Sequence, residues 1–223
     1  MRYIISIIKK IKIKLISKII RILLAADNFI YSRISKYAVI VEKGIHPKHR
    51  LMKYHNFFLS NIEPGDVVLD VGCGNGSVAY DVAKKANSVV GIDIDEDKIR
   101  DAKKSFLLDN IEYICGDITS WPFKQKFDVI IMSNVLEHIE NRIKFLKKIK
   151  GLGRKFLIRL PMINRSWVVL YKEELGVEYR LDKAHHMEYT IESFTGELEE
   201  ADLRICNYSI QFGEIWAVVE NKV

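Results

Sequence analysis

The chain is predicted to be an α/β protein built on a doubly wound, mostly parallel sheet, with a helical extension at its N-terminus. Three observations support this. Apolar runs too continuous for half-buried strands end in acidic residues, a glycine loop follows the first of them, and strand-like and helix-like segments then alternate. Val67, Val68, Leu69 and Val71 make the first strand, with Asp70 near its end. Gly72, Gly74 and Gly76 follow, with Cys73 and Asn75 between them, and let the backbone approach a ligand without a Cβ in the way. Ser77 to Ala83 reads as a helix whose free N–H groups point back at that loop. Such a junction holds a ligand at the carboxyl end of a sheet.

Ser88 to Asp93 is a second buried strand ending in a carboxylate, 17 residues beyond Gly76. An acid there is well placed for the two hydroxyls of a ribose. A bare strand-to-helix turn explains a glycine triplet alone, but not this second strand and its acid. The glycine spacing is G-x-G-x-G rather than the dinucleotide G-x-G-x-x-G. Asp70 would repel a pyrophosphate yet suits a ligand carrying an ammonium group. S-adenosylmethionine has an amine, a sulfonium and a ribose but no phosphate, so electrostatics favour it over NAD.

At these residues the chain resembles the class I S-adenosylmethionine-dependent methyltransferases, of the small-molecule, quinone-pathway type. Val89 to Ile99 (VVGIDIDEDKI), Ile111 to Ile118 (IEYICGDI) and Phe127 to Ile139 (FDVIIMSNVLEHI) resemble that family's second, third and fourth motifs. Tyr189, Thr190, Phe194 and Leu198 to Ala201 resemble its closing helix. The resemblance covers roughly residues 60 to 220, and motifs in the correct order are more specific than any one alone. It implies a Rossmann-like sheet of seven strands, with the last (Ile215 to Glu220) added antiparallel. It implies that Asp70 and Gly72 to Gly76 surround the methionine part of the cofactor, with Ser133 and Asn134 nearby. Asp93 would hold the ribose, Ile94 would pack on the adenine, and Asp117 would accept from the adenine amino group beside Ile118.

A chain of 223 residues with 48% hydrophobic content suits one α/β domain with an extension. Cys73, Cys115 and Cys206 are odd in number and widely spaced, which gives no disulfide framework and points to a reducing, cytoplasmic setting. Cys73 is expected to be a small residue beneath the cofactor rather than a nucleophile. Charge is unevenly spread. Residues 1 to 53 carry a net +11 against −5 for the remainder, so the basic balance belongs to the leader.

Residues 1 to 24 form the first predicted unit. At 100° per residue Ile4, Ile5, Ile8, Ile11, Leu15, Ile16, Ile19, Ile22 and Leu23 share one face. Lys9, Lys10, Lys14, Lys18 and Arg21 lie opposite or at its margins, while Lys12 falls inside the face and must snorkel. No uncharged stretch approaches the roughly 20 residues of a spanning helix, and no clean apolar block marks a signal peptide. An anionic membrane surface, on the inner face, is the expected partner; packing on the domain or on a second subunit is the competing one. Nucleic acid is disfavoured, because the acidic catalytic part would repel a phosphate backbone.

Residues 25 to 61 read as a helical lid with a break near Gly44 to Pro47, and His49, Tyr54 and His55 are expected to line it. His46, His49 and His55 lack a companion acid or cysteine for a metal, and Lys48, Arg50 and Lys53 oppose one. Residues 62 to 223 then form the catalytic domain. Its Asn134-Val135-Leu136-Glu137-His138 has an amide where relatives with Glu-x-x-Glu-His carry a metal-binding acid, so no metal is expected. Glu137 is instead expected near the positive end of the next helix.

Residues 161 to 189 form an insert too long for a simple connection. Asn164, Trp167, Tyr171, Tyr179, Arg180, His185, His186 and Tyr189 could line an acceptor pocket there, with Trp167 assumed to be ordinary packing. A hydroxyl acceptor must lose its proton as it attacks, a task expected of His185, His186 or His138. The expected function is methyl transfer to a small-molecule, glycan or lipid-linked acceptor. The alternatives are an enzyme acting on protein or RNA, and a cofactor-binding scaffold without activity.

Overall fold

The computed structural model describes the backbone of residues 2–222 and the side chains of residues 10–222. Ile4, Ile5, Ile8 and Lys9 of the leader therefore lie outside the described side chains. Seven strands form one sheet in the order β3-β2-β1-β4-β5-β7-β6. These are β1 (Val67–Val71), β2 (Ser88–Asp93), β3 (Ile111–Cys115), β4 (Phe127–Ser133), β5 (Gly153–Pro161), β6 (Leu203–Gln211) and β7 (Glu214–Asn221). The first five run parallel, and β7 inserts antiparallel between β5 and β6. The order reverses direction at β1 and β4, and that is where open α/β sheets bind ligands.

Alternate strand residues feed two cores. On one face Leu69, Val71, Ile130, Met132, Phe156 and Ile158 pack against α6 (Arg142–Ile149) and α8 (Ile191–Glu200). On the other, Val68, Val89, Ile131 and Leu157 pack with α3 (His55–Ser60), α4 (Ser77–Ala83) and α5 (Glu96–Ser105). Asp70 and Arg159 have the parity of this second face, which places them at its carboxyl edge. Caps fix the flanking helices. Asp95 accepts from the amides of Asp97 and Lys98 at the start of α5, and Thr190 with Ser193 forms a capping box at the start of α8.

The leader differs from its sequence outline. One helix, α1 (Arg2–Val41), runs straight through residue 24, because 25 to 41 contain neither glycine nor proline. It ends where Lys43 and Gly44 take left-handed conformations, and α2 (Lys48–Met52) follows. A narrow stripe of Ser17, Ile20, Leu24, Asn28, Ser35, Ala38 and Val39 is half-buried against the body. Ile11, Leu15, Ile19, Ile22, Phe29 and Ile30 lie on the far side and are exposed. The clamp is polar: the Lys172 ammonium on α7 (Trp167–Glu174) donates to Asp27 and Asn28, each at 2.7 Å.

Three other expectations are corrected. Leu136–His138 is an isolated 3-10 turn, because Ile139 turns extended and α6 starts only after Asn141; Glu137 is therefore fully buried rather than a helix-end acid. Trp167 is 75% exposed instead of packed. Tyr189 is a core residue, 0% exposed, whose hydroxyl donates to Glu197 at 3.0 Å, so it lines no pocket.

Gly76 takes φ 83° at the start of α4, and a Cβ there would meet the Tyr113 ring and the Ala102 methyl. Gly76→Ala is expected to cost about 2–4 kcal/mol from left-handed strain and overpacking. A urea transition at the wild-type midpoint would contradict this.

Candidate active site

The glycine loop is held by its neighbour. Asp93, at the end of β2, accepts from the Gly74 amide through Oδ2 (2.8 Å) and from the Asp95 amide through Oδ1 (3.0 Å). The Gly72 and Cys73 amides bond the carbonyl of Ile92. A Cβ on Gly72 would sit 2.7 Å from Val135, so that position admits only glycine. Beside this loop lies a cavity of about 760 Å³ lined by Gly72, Asp93, Ile94, Asp117, Ile118 and Asn134, among others. Ile94 offers 73% of its surface, a flat apolar contact beside two acids. His138 and His186 border the same cavity.

The sequence-predicted residues divide by position. Asp93, Ile94, Asp117, Ile118, Asn134, His138 and His186 line the cavity together with Gly72. Asp70 and Cys73 are buried next to it, while Gly74, Asn75 and Gly76 shape the loop and Ser133 ends β4. Asp117 binds the backbone and hydroxyl of Thr119, each at 2.8 Å. Asn134 has φ 58°, and its Oδ1 accepts from Arg159 Nε at 2.7 Å.

Burial sets the local electrostatics. Burial, and then the Asp93 charge, push the Asp70 carboxyl up to about 8, and its Oδ2 has no hydrogen-bond partner. Burial raises the Cys73 thiol as well, which makes it a poor nucleophile. An anion site this starved of partners fits an ammonium group. The acids at β1 and β2, the close-approach glycine and the open Ile94 together fit an amino acid joined to adenosine.

His185 is buried, with Nδ1 3.3 Å from Glu188. Burial pushes Glu188 up, but His185, the Leu181 amide and Arg165 outweigh it and hold the carboxylate below its usual range. The His185 ring meets His138 edge-on at 4.6 Å. Burial, then His185, lower the His138 pKa, which leaves a neutral imidazole able to accept a proton. Glu137 is fully buried with both carboxylate oxygens unpartnered, and burial pushes it up to about 8. Glu137, His138 and His185 each offer one ligand atom within 4.8 Å of the others. Asn134, whose amide argued against a metal in the sequence, is turned away onto Arg159.

His49, Tyr54 and His55 also come together. His55 Nδ1 lies 2.7 Å from Asp81 on α4, and its Nε2 lies 3.0 Å from His49. The Tyr54 hydroxyl is 3.1 Å from His49, and the Tyr54 ring lies 3.6 Å beneath the Arg159 guanidinium. His46 stands apart on Ser35. Sequence reasoning missed Arg159: inside an apolar strand nothing but its charge marks it. In the insert, Tyr179 and Arg180 line a second cavity of about 790 Å³ whose opposite wall is α1. Asn164 and Trp167 face solvent.

The model of a methyltransferase domain matches residues 62–206. The chain belongs to the class I S-adenosylmethionine-dependent methyltransferases. It is 30% identical over 125 residues to a probable cobalt-precorrin-6B C(15)-methyltransferase of Methanococcus maripaludis, covering 55% of this chain and 67% of that one. It is 31% identical over 144 residues to the mitochondrial ubiquinone biosynthesis O-methyltransferase of Candida albicans, covering 60% of this chain but only 44% of the relative. The magnesium protoporphyrin IX methyltransferase of Synechocystis, solved with bound SAH, superimposes with a TM-score of 0.63 at 16% identity, over 78% of this methyltransferase and 83% of that one; this likeness shows the fold.

Two outcomes test the site. Asp93→Ala removes the brace on Gly74 together with the carboxylate expected to hold the ribose, so S-adenosylhomocysteine should bind this methyltransferase at least about tenfold more weakly by calorimetry. Ligand ammonium favours ionised Asp70, so binding below about pH 8 should release a proton and tighten as pH rises from about 6. Asp70→Asn should abolish that release; flat affinity across the same range would argue against the ammonium contact.

Proposed function

We propose that this enzyme transfers a methyl group to an oxygen of a small-molecule, glycan or lipid-linked acceptor at an anionic membrane surface. The observation behind the chemistry is His138: it borders the cofactor cavity, is kept neutral, and is backed by His185 and Glu188. The cofactor supplies a methyl already activated by its sulfonium. What remains for the chain is to align the acceptor oxygen and remove its proton. His138 is the proton acceptor in this reading, and His185 orients it. His186, also on the cavity wall, is placed to bind the acceptor. Transfer to oxygen agrees with the ubiquinone biosynthesis relatives, which are O-methyltransferases.

A second reading follows from Glu137, His138 and His185. Their three ligand atoms and the unpartnered Glu137 carboxylate suit a divalent cation that would bind the acceptor oxygen. Dialysis against zinc, manganese or magnesium followed by elemental analysis separates the two. About one ion per chain, lost in Glu137→Gln, would favour the metal reading.

The membrane part rests on α1. Its exposed apolar side faces away from the body with Lys14 and Lys18 at its margin, while Arg21 turns back to the Leu175 carbonyl. No helix among the described residues is long and apolar enough to cross a membrane. The helix then lies within the headgroups, with each basic residue contributing about 1 kcal/mol on an anionic leaflet. The reading places the enzyme in the cytoplasm, peripheral on the inner membrane face.

With labelled cofactor, label should enter the lipid or small-molecule fraction of a cell extract, and His138→Gln should slow transfer about 100-fold. Label confined to protein or RNA, or none at all, would overturn the acceptor class. The full chain should sediment with phosphatidylglycerol vesicles but not with phosphatidylcholine ones. Removing residues 2–24 should abolish this while sparing cofactor binding. Indifference of the full chain to either lipid would refute membrane docking.

A further inference from the structure

Two buried charged side chains at the carboxyl edge each keep one atom with nothing to bond. One is Asp70 Oδ2 on β1; the other is Arg159 Nη1 on β5. Both residues are nearly inaccessible, at 1% and 7% exposure. An unpaired guanidinium nitrogen in the interior is costly, as is an unpaired carboxylate oxygen. Their failure to satisfy each other is therefore informative.

Sheet register explains it. Asp70 pairs with Ile131 on β4, whereas Arg159 pairs with Ser133, two residues nearer the carboxyl end. The two backbones are thus two strands apart, about 10 Å sideways, and offset by about 7 Å along the sheet. Both side chains project to the face covered by α3 and α4. Tyr54 packs on the same face. It stacks on the Arg159 guanidinium at 3.6 Å, and its hydroxyl feels both the Arg159 and the Asp70 charge.

The rest of Arg159 is committed. Nε donates to Asn134 Oδ1 at 2.7 Å and lies 3.2 Å from Glu214 Oε2. Asn134 in turn lines the cofactor cavity. The guanidinium is therefore fixed in orientation, tied to a cavity residue, and left with one free donor edge. A fixed fork with a spare N–H suits a carboxylate.

We infer that Arg159 binds the carboxylate of the cofactor's methionine end while Asp70 binds its amine, so that one zwitterion satisfies both unpartnered atoms. Arg159 is then a specificity residue. It selects ligands with a complete amino-acid tail and holds Asn134 and Tyr54 about that tail. The inference rests on the cofactor assignment and adds to it a residue that no motif marks. An anionic acceptor is the rival occupant of the same nitrogen.

Three ligands separate these cases by calorimetry on the full chain. S-adenosylhomocysteine carries the whole tail, S-adenosyl-3-thiopropylamine keeps the amine but lacks the carboxylate, and 5′-methylthioadenosine lacks both. Wild type is expected to lose about 10- to 100-fold in affinity when the carboxylate alone is removed, the range of a charged hydrogen bond. In Arg159→Met that gap should nearly close while methylthioadenosine binding stays as it was. Arg159→Lys, which keeps the charge without the fork, should fall between. Arg50→Ala, an exposed arginine paired with Glu42, should behave as wild type.

Equal wild-type affinity for the ligands with and without the carboxylate overturns the inference, and needs no variant to fold. So does an Arg159→Met protein that keeps the full gap, or one that loses methylthioadenosine to the same extent. Failure of all three ligands to bind wild type would instead remove the cofactor assignment itself.

Discussion

The carboxylate of Asp93 is the constraint on which the carboxyl edge depends. By accepting from Gly74 and Asp95 it ties the loop after β1 to the turn after β2. That tie sets where Gly72 comes close to Val135, and hence how wide the cavity opens beside Ile94 and Asp117. A buried carboxyl group so engaged costs little to keep in place, since its bonds to backbone amides offset its burial. Asp70 keeps one oxygen without a partner, and the contrast between the two acids gives the site its polarity.

Around that edge the molecule keeps several ionisable groups buried without full satisfaction. Asp70, Glu137 and Arg159 each retain an idle polar atom. In the unliganded fold the two acids hold their protons to about pH 8, whereas the unfolded chain loses them near its ordinary carboxyl range. Stability therefore declines as pH rises between those limits, and a cationic ligand recovers it. Such unsatisfied groups are tolerated because two continuous apolar cores surround them.

Much of this was legible from residue order alone. The glycine loop, the acids ending β1 and β2, and the strand and helix between Val67 and Asp93 follow from local spacing and hydropathy, where sequence and structure speak the same language. What escaped depends on contacts between distant segments. Arg159 acquires meaning only by meeting Asn134 and Tyr54. Tyr189 and Trp167 exchange the roles their sizes suggest, because α8 offers Tyr189 the Glu197 carboxylate while nothing covers Trp167. The apolar face of α1 was readable, but not the direction in which it points.

The polar clamp from Lys172 to Asp27 and Asn28 has a mechanical consequence. A rod of 40 residues, about 60 Å long, is bolted at mid-length to α7, in the same insert that carries His185 and His186, so the two cannot swivel independently. Under the proposed membrane docking, the rod would act as a rail that fixes the height and tilt of the catalytic body. Encounter with a lipid-borne acceptor would then be reduced from a search through volume to lateral diffusion in a plane.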